Sequence, residues 1–75
     1  MKDKIESFII NNLASEPLDK IYDDEDLLGS GILDSLGMMN LINFIENEAD
    51  IKIPSEDMTI ENFMTIKSIM HYLSR

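Results

Sequence analysis

The chain has 75 residues, 44% of them hydrophobic, which suffices for one small core and is too few for two domains, so residues 1–75 read as a single domain. Fifteen acidic against six basic side chains leave a formal charge of −9, which repels nucleic acid and anionic membrane surfaces and favours proteins with basic docking surfaces. The absence of cysteine rules out disulfides, thiolate metal ligands and a nucleophilic thiol of the chain's own. Met1-Lys2-Asp3-Lys4-Ile5-Glu6 alternates charge where a signal peptide would be apolar, and no apolar run reaches membrane-spanning length. The expectation is a soluble, cytoplasmic monomer.

Ile5, Phe8, Ile9 and Leu13, with Ile10 at the margin, recur at helical spacing and predict a first amphipathic helix over residues 3–14. Ser15, Glu16 and Pro17 are expected to end it. Pro17 to Leu33 has no sustained period and holds Gly29 and Gly31, so it reads as a long loop. A connection of that length is uncommon in so small a domain unless it is functional or packed by its own side chains. Leu18, Ile21, Tyr22, Leu27, Leu28, Ile32 and Leu33 can supply the packing, with one short helical turn expected around Asp24 to Leu28.

Asp34 is a good N-cap, and Met38, Leu41, Ile42 and Ile45 follow at i, i+3, i+4, i+7, predicting a second helix from Ser35 to Glu48. Leu36, Asn40, Asn43 and Asn47 then face outward, with Met39 and Phe44 at the borders. Asp50-Ile51-Lys52-Ile53-Pro54 alternates and ends in proline, so it should be extended, with Ile51 and Ile53 inward. Thr59 can cap a short helix over Ile60 to Phe63, and Thr65 a last helix whose Ile66, Ile69, Met70 and Leu73 form another stripe. The fold class is all-α, a small four-helix bundle of three main helices and one short one.

Several chemistries fail on spacing. A calcium loop read from Asp24 would place Leu28 and Ser35 at ligand positions that need oxygen donors and a bidentate glutamate. His71, the one histidine, has no cysteine to join it in a transition-metal site and is expected to face solvent. Gly29-Ser30-Gly31 lacks the lysine and the preceding strand of a phosphate-binding loop, and no Gly-x-Ser-x-Gly elbow surrounds Ser35. No second catalytic group accompanies that serine, so the chain is not read as an enzyme, and no metal is expected.

What remains is Gly31-Ile32-Leu33-Asp34-Ser35-Leu36. It places Ser35 at the first position of a helix, where unpaired N–H groups and the macrodipole favour an anion such as a phosphate ester. The segment, on a long loop feeding an amphipathic helix in an acidic four-helix chain, resembles the acyl and peptidyl carrier protein family, and the resemblance covers nearly the whole chain. It implies a 4'-phosphopantetheine arm on Ser35, attached by a phosphopantetheinyl transferase from coenzyme A, with Asp34 as motif partner and helix cap. By the same resemblance the thiol of the arm holds a carboxylic acid as a thioester and presents it to partner enzymes. Leu36, Met39, Asn40 and Glu46 are the expected docking residues.

Carriers of fatty-acid synthesis often follow the motif with an acidic residue and more carboxylates, whereas this chain has Gly37, Asn40, Asn43 and Asn47. That pattern looks more like discrete carriers for amino acids or specialised acyl groups. The readings therefore stand as an acyl carrier, an aminoacyl or peptidyl (D-alanyl-type) carrier loaded by an adenylating ligase, and an unmodified acidic helical interaction module. Met38, Ile42, Ile45, Met64 and Met70 are the residues that could line an interior space for cargo, although methionines at helical spacing are usually plain packing.

Overall fold

The computed structural model describes residues 1–14 and 17–74, and all structural statements refer to these. Four α-helices, α1 (Lys2–Phe8), α2 (Ser35–Ala49), α3 (Ile60–Phe63) and α4 (Ile66–Leu73), are supplemented by a π-helical stretch (Ile9–Leu13) and a 3₁₀ turn (Ser55–Asp57). The expected all-α bundle with one short helix is the observed architecture.

The first helix is not uniform. After Phe8 the backbone bonding lengthens by one residue, and the Ala14 N–H reaches the Ile9 carbonyl at 2.8 Å. The Asn12 side-chain amide donates to the Phe8 carbonyl at 3.2 Å, at the start of this stretch. Ser15 and Glu16, expected as helix terminators, lie outside the described residues. Ile5 and Ile9 are fully buried, and Phe8 stacks on Phe44 of α2 with ring centroids 4.1 Å apart, which fixes α1 against the outer border of α2. Lys4 and Glu48 add an ion pair at 3.5 Å. Such exposed pairs contribute little.

The long connection lies on the bundle, as its apolar content requires. Ile21, Leu27, Ile32 and Leu33 are buried, and Leu18 and Leu28 are half-buried. Tyr22, expected to pack inward, is instead 64% exposed, with the Lys20 ammonium 5.8 Å from its ring. The neighbouring Ile21 takes the interior position, and the Glu6 carboxylate accepts the Ile21 N–H at 2.7 Å. No helix forms over Asp24 to Leu28. Turns replace it: Glu25 N–H donates to the Tyr22 carbonyl, and Ser30 N–H to that of Asp26. The Asp26 side chain accepts the Gly29 N–H at 2.8 Å, a local bond that competes with helix propagation. Gly31 then adopts φ +83°, a left-handed conformation that glycine takes without a side-chain penalty.

Three further backbone bonds tie this connection down. Leu27 N–H donates to the Met64 carbonyl (2.8 Å), Leu33 N–H to that of Leu27 (2.9 Å), and Lys67 N–H to that of Asp23 (2.9 Å). The Asp23 carboxylate also meets the Lys2 ammonium at 2.9 Å, a hydrogen bond and charge contact that raise the lysine's pKa above its usual value.

α2 buries Met38, Leu41, Ile42 and Ile45, the stripe expected from spacing, and runs one residue past the expected end. Asp50 closes it in the left-handed region (φ 53°), and both the Asp50 and Ile51 N–H groups return to the Glu46 carbonyl. That exit explains a second departure. Ile51 is part of the helix termination rather than of a pleated run, so it is 41% exposed, while Ile53 is buried. Thr59 and Thr65 cap α3 and α4 as expected, accepting the N–H groups of Asn62 and Ser68. Phe63, Ile66 and Ile69 complete the core, each worth about 1.5–3 kcal/mol of apolar burial.

Candidate functional site

The loop and α2 meet at the motif. Ile32 and Leu33 are buried and anchor the incoming chain, whereas Asp34, Ser35 and Leu36 are exposed. Asp34 is extended (φ −100°, ψ −176°), its carboxylate accepts the Gly37 N–H at 2.7 Å, and its carbonyl accepts the Met38 N–H at 2.9 Å. It therefore caps the helix as expected, through a charge-assisted bond at the positive end of a fifteen-residue dipole. Gly37 is buried beneath Leu33, and a Cβ there would lie 3.2 Å from the Asp34 carboxylate.

Ser35 is the first residue of α2, and its side chain is exposed. A phosphodiester at this point would face solvent on one side and the first-turn N–H groups on the other, an arrangement that suits a group attached at the surface. Among the described residues no polar side chain is buried, and no cluster of three or more His, Asp or Glu side chains could hold a metal ion. His71 is exposed in the last turn of α4, as expected.

Apolar side chains surround the serine on the surface. Leu36 is 70% exposed, and Met39, one turn on, is exposed as well. Asn40, Asn43 and Asn47 face outward as the spacing required. Glu46 departs from its expected docking role: it is half-buried, and its carboxylate accepts the Ile53 N–H at 2.8 Å, so it holds the extended segment onto α2.

One exposed residue escapes a reading by spacing. Ile60 is 67% exposed at the start of α3, although its three-residue separation from the buried Phe63 would point it inward. A four-residue helix is too short for its period to decide the matter.

Ile60 borders a small apolar cleft of about 80 Å³ between α2 and α3, lined also by Leu28, Met38, Ile42, Met58, Thr59 and Phe63. Of the residues expected to line an interior space, Met38 and Ile42 do so here. Met64 and Met70 are half-buried elsewhere, and Ile45 is fully buried in the core.

This fold, with an exposed serine at the mouth of a capped helix, defines a cofactor-bearing carrier domain. The model of the family described as phosphopantetheine attachment site matches residues 8–73, and the chain belongs to that family. Membership implies covalently attached 4'-phosphopantetheine and a domain that bears a substrate group without catalysing its chemistry.

More particular likenesses follow. The chain is 43% identical over 47 residues to the D-alanyl carrier protein of Streptococcus uberis, a match spanning 63% of this chain and 60% of that protein. It is 36% identical over 62 residues to the D-alanyl carrier proteins of Streptococcus gordonii and Streptococcus sanguinis, spanning 83% of this chain and 77% of each relative. The backbone is similar, with TM-score 0.75 and 24% identity, to a chain in the crystal structure of Bradyrhizobium japonicum glycine:[carrier protein] ligase complexed with glycylated carrier protein, covering 93% of this chain and 89% of that one.

Proposed function

We infer that Ser35 carries the phosphopantetheine arm and that the protein is an aminoacyl carrier of D-alanyl type, loaded by an adenylating ligase, rather than a carrier for fatty-acid synthesis. The observation that carries the site is the exposure of Ser35 at the first position of α2 beside a capping carboxylate. Support for the cargo comes from the D-alanyl carrier relatives and from an outward face of α2 that presents Asn40, Asn43 and Asn47 where carboxylates would favour a different set of partners.

The arm, once attached, supplies a thiol that holds the amino acid as a thioester. The chain's own residues do the rest. Asp34 fixes the helix start, and the first-turn N–H groups of α2 favour the phosphodiester. Tethering raises the effective concentration of cargo at a partner's active site. Leu36, Met39 and Asn40 form the surface that the transferase and the ligase grip, and the −9 charge steers the chain toward basic partner surfaces. A cytoplasmic location is part of this proposal, since coenzyme A and an adenylating ligase would have to be at hand.

Incubation with coenzyme A and a broad-specificity phosphopantetheinyl transferase, followed by intact mass measurement, tests the site. Wild type should gain one phosphopantetheine and Ser35→Ala none; a gain by both would move the attachment elsewhere. Loading of the holo protein with D-alanine, glycine and medium-chain fatty acids by their respective ligases tests the cargo. Preferential loading with fatty acid would refute the aminoacyl reading.

A further inference from the structure

The cleft between α2 and α3 begins one turn below Ser35, at Met38, and reaches the surface at the exposed Thr59 and Ile60. Its floor is Phe63, the largest of the fully buried described side chains. Phe63 packs tilted against Tyr72 with ring centroids 5.6 Å apart, and the Tyr72 hydroxyl donates to the Asp57 carboxylate at 2.7 Å. Asn62, beside Phe63 on α3, donates its side-chain amide to the Asp57 carbonyl at 2.8 Å. The 3₁₀ turn therefore holds α3 through the bond from Asn62 and braces the ring through the bond from Tyr72 of α4.

The cleft's volume limits what it can take. An apolar cavity of roughly 150 Å³ is filled by a single benzene ring, and the space here is about 80 Å³. A linear chain of eight carbons exceeds it unless the ring of Phe63 moves. The bracing opposes that movement, because protein interiors are close-packed and displaced side chains need free volume to enter.

We propose that Phe63, held by Tyr72 and Asp57, is a plug that closes the bundle to long cargo: alkyl chains of eight or more carbons stay on the arm in solvent instead of entering the cleft. The residue acts by exclusion and takes no part in bond-making. The inference rests on the Ser35 carrier reading but not on the identity of any ligase.

The test loads the apo protein directly with acetyl-, octanoyl- and dodecanoyl-coenzyme A through a broad-specificity transferase. In that step the Ser35 hydroxyl displaces 3',5'-adenosine diphosphate from the pyrophosphate and its proton leaves to solvent. Two quantities are read: the melting temperature, and the half-life of the thioester in hydroxylamine.

In wild type the acetyl and octanoyl forms should melt within about 2 °C of each other, since cargo that is not bound adds no stability. Their half-lives should agree within about twofold, for the same reason. In Phe63→Ala, and to a smaller degree in the milder Phe63→Leu, the octanoyl form should melt about 4 °C or more above the acetyl form. Its thioester should also outlast the acetyl thioester at least threefold, roughly, as cargo bound in the opened cleft is shielded.

Chain-length protection already present in wild type would overturn the plug, as would its absence from Phe63→Leu. Failure to gain mass at all would overturn the Ser35 reading itself, a result distinguishable from either.

Discussion

Replacing Asp34 with alanine removes the acceptor of the 2.7 Å bond from the Gly37 N–H at the start of α2, the helix that supplies Met38, Leu41, Ile42 and Ile45 to the core. Loss of an N-cap costs about 1 kcal/mol. Loss of a negative charge at the positive end of the helix dipole adds about 0.3–1 kcal/mol. The sum, about 1.5 kcal/mol, corresponds in a domain of this size to a fall in melting temperature of roughly 6–12 °C.

Asp34→Asn separates the two contributions, because the amide oxygen still accepts the bond while the charge is gone. It should lose only the dipole share, about 0.5 kcal/mol, or roughly 2–4 °C. Circular dichroism melts of both variants, paired with a time course of phosphopantetheine transfer, provide the measurement. A melting temperature for Asp34→Ala equal to that of wild type, or equal losses in the two variants, would refute the capping argument. A rate deficit in Asp34→Asn larger than its stability loss explains would show that the carboxylate also meets the transferase.

Leu36→Glu should leave the melting temperature unchanged, because that side chain is exposed, while slowing modification and ligase loading; unchanged rates would remove Leu36 from the docking surface. Glu46→Ala should do the opposite: it leaves the half-buried Ile53 N–H without its carboxylate, costing about 1.5–3 kcal/mol, and speeds hydrogen exchange at Ile53 while loading of folded protein stays at the wild-type rate. Gly31→Ala forces an alanine to φ +83° and should destabilise by about 1–2 kcal/mol, read from a urea midpoint; a stabilised variant would refute the strain.

The parts of the fold legible in the sequence are those governed by local chemistry. Asp34, Thr59 and Thr65 marked the helix starts because capping acts over three residues, and the stripes of α2 and α4 were visible because each helix buries one face. Ser35 could be singled out for the same reason, since its position relative to a cap is local information.

The errors occur where bonds that apolar spacing does not encode decide. Tyr22 turned outward because Ile21 is held by Glu6, fifteen positions away, and Ile51 turned outward because α2 ends on a left-handed Asp50. The change to π-helical bonding after Phe8 has no signature in apolar spacing, and the bond that draws Glu46, an expected docking residue, onto the Ile53 N–H involves a backbone group that composition does not reveal.

The backbone bonds of the long connection have a mechanical consequence. Met64, just past α3, accepts from Leu27, and Leu27 in turn accepts from Leu33, the residue before Asp34. These two bonds form a short stay running from the end of the shortest helix to the serine's doorstep. The end of α3 and the chain entering α2 are therefore tied through backbone as well as through packing, so loosening the Leu27–Met64 bond would free both at once.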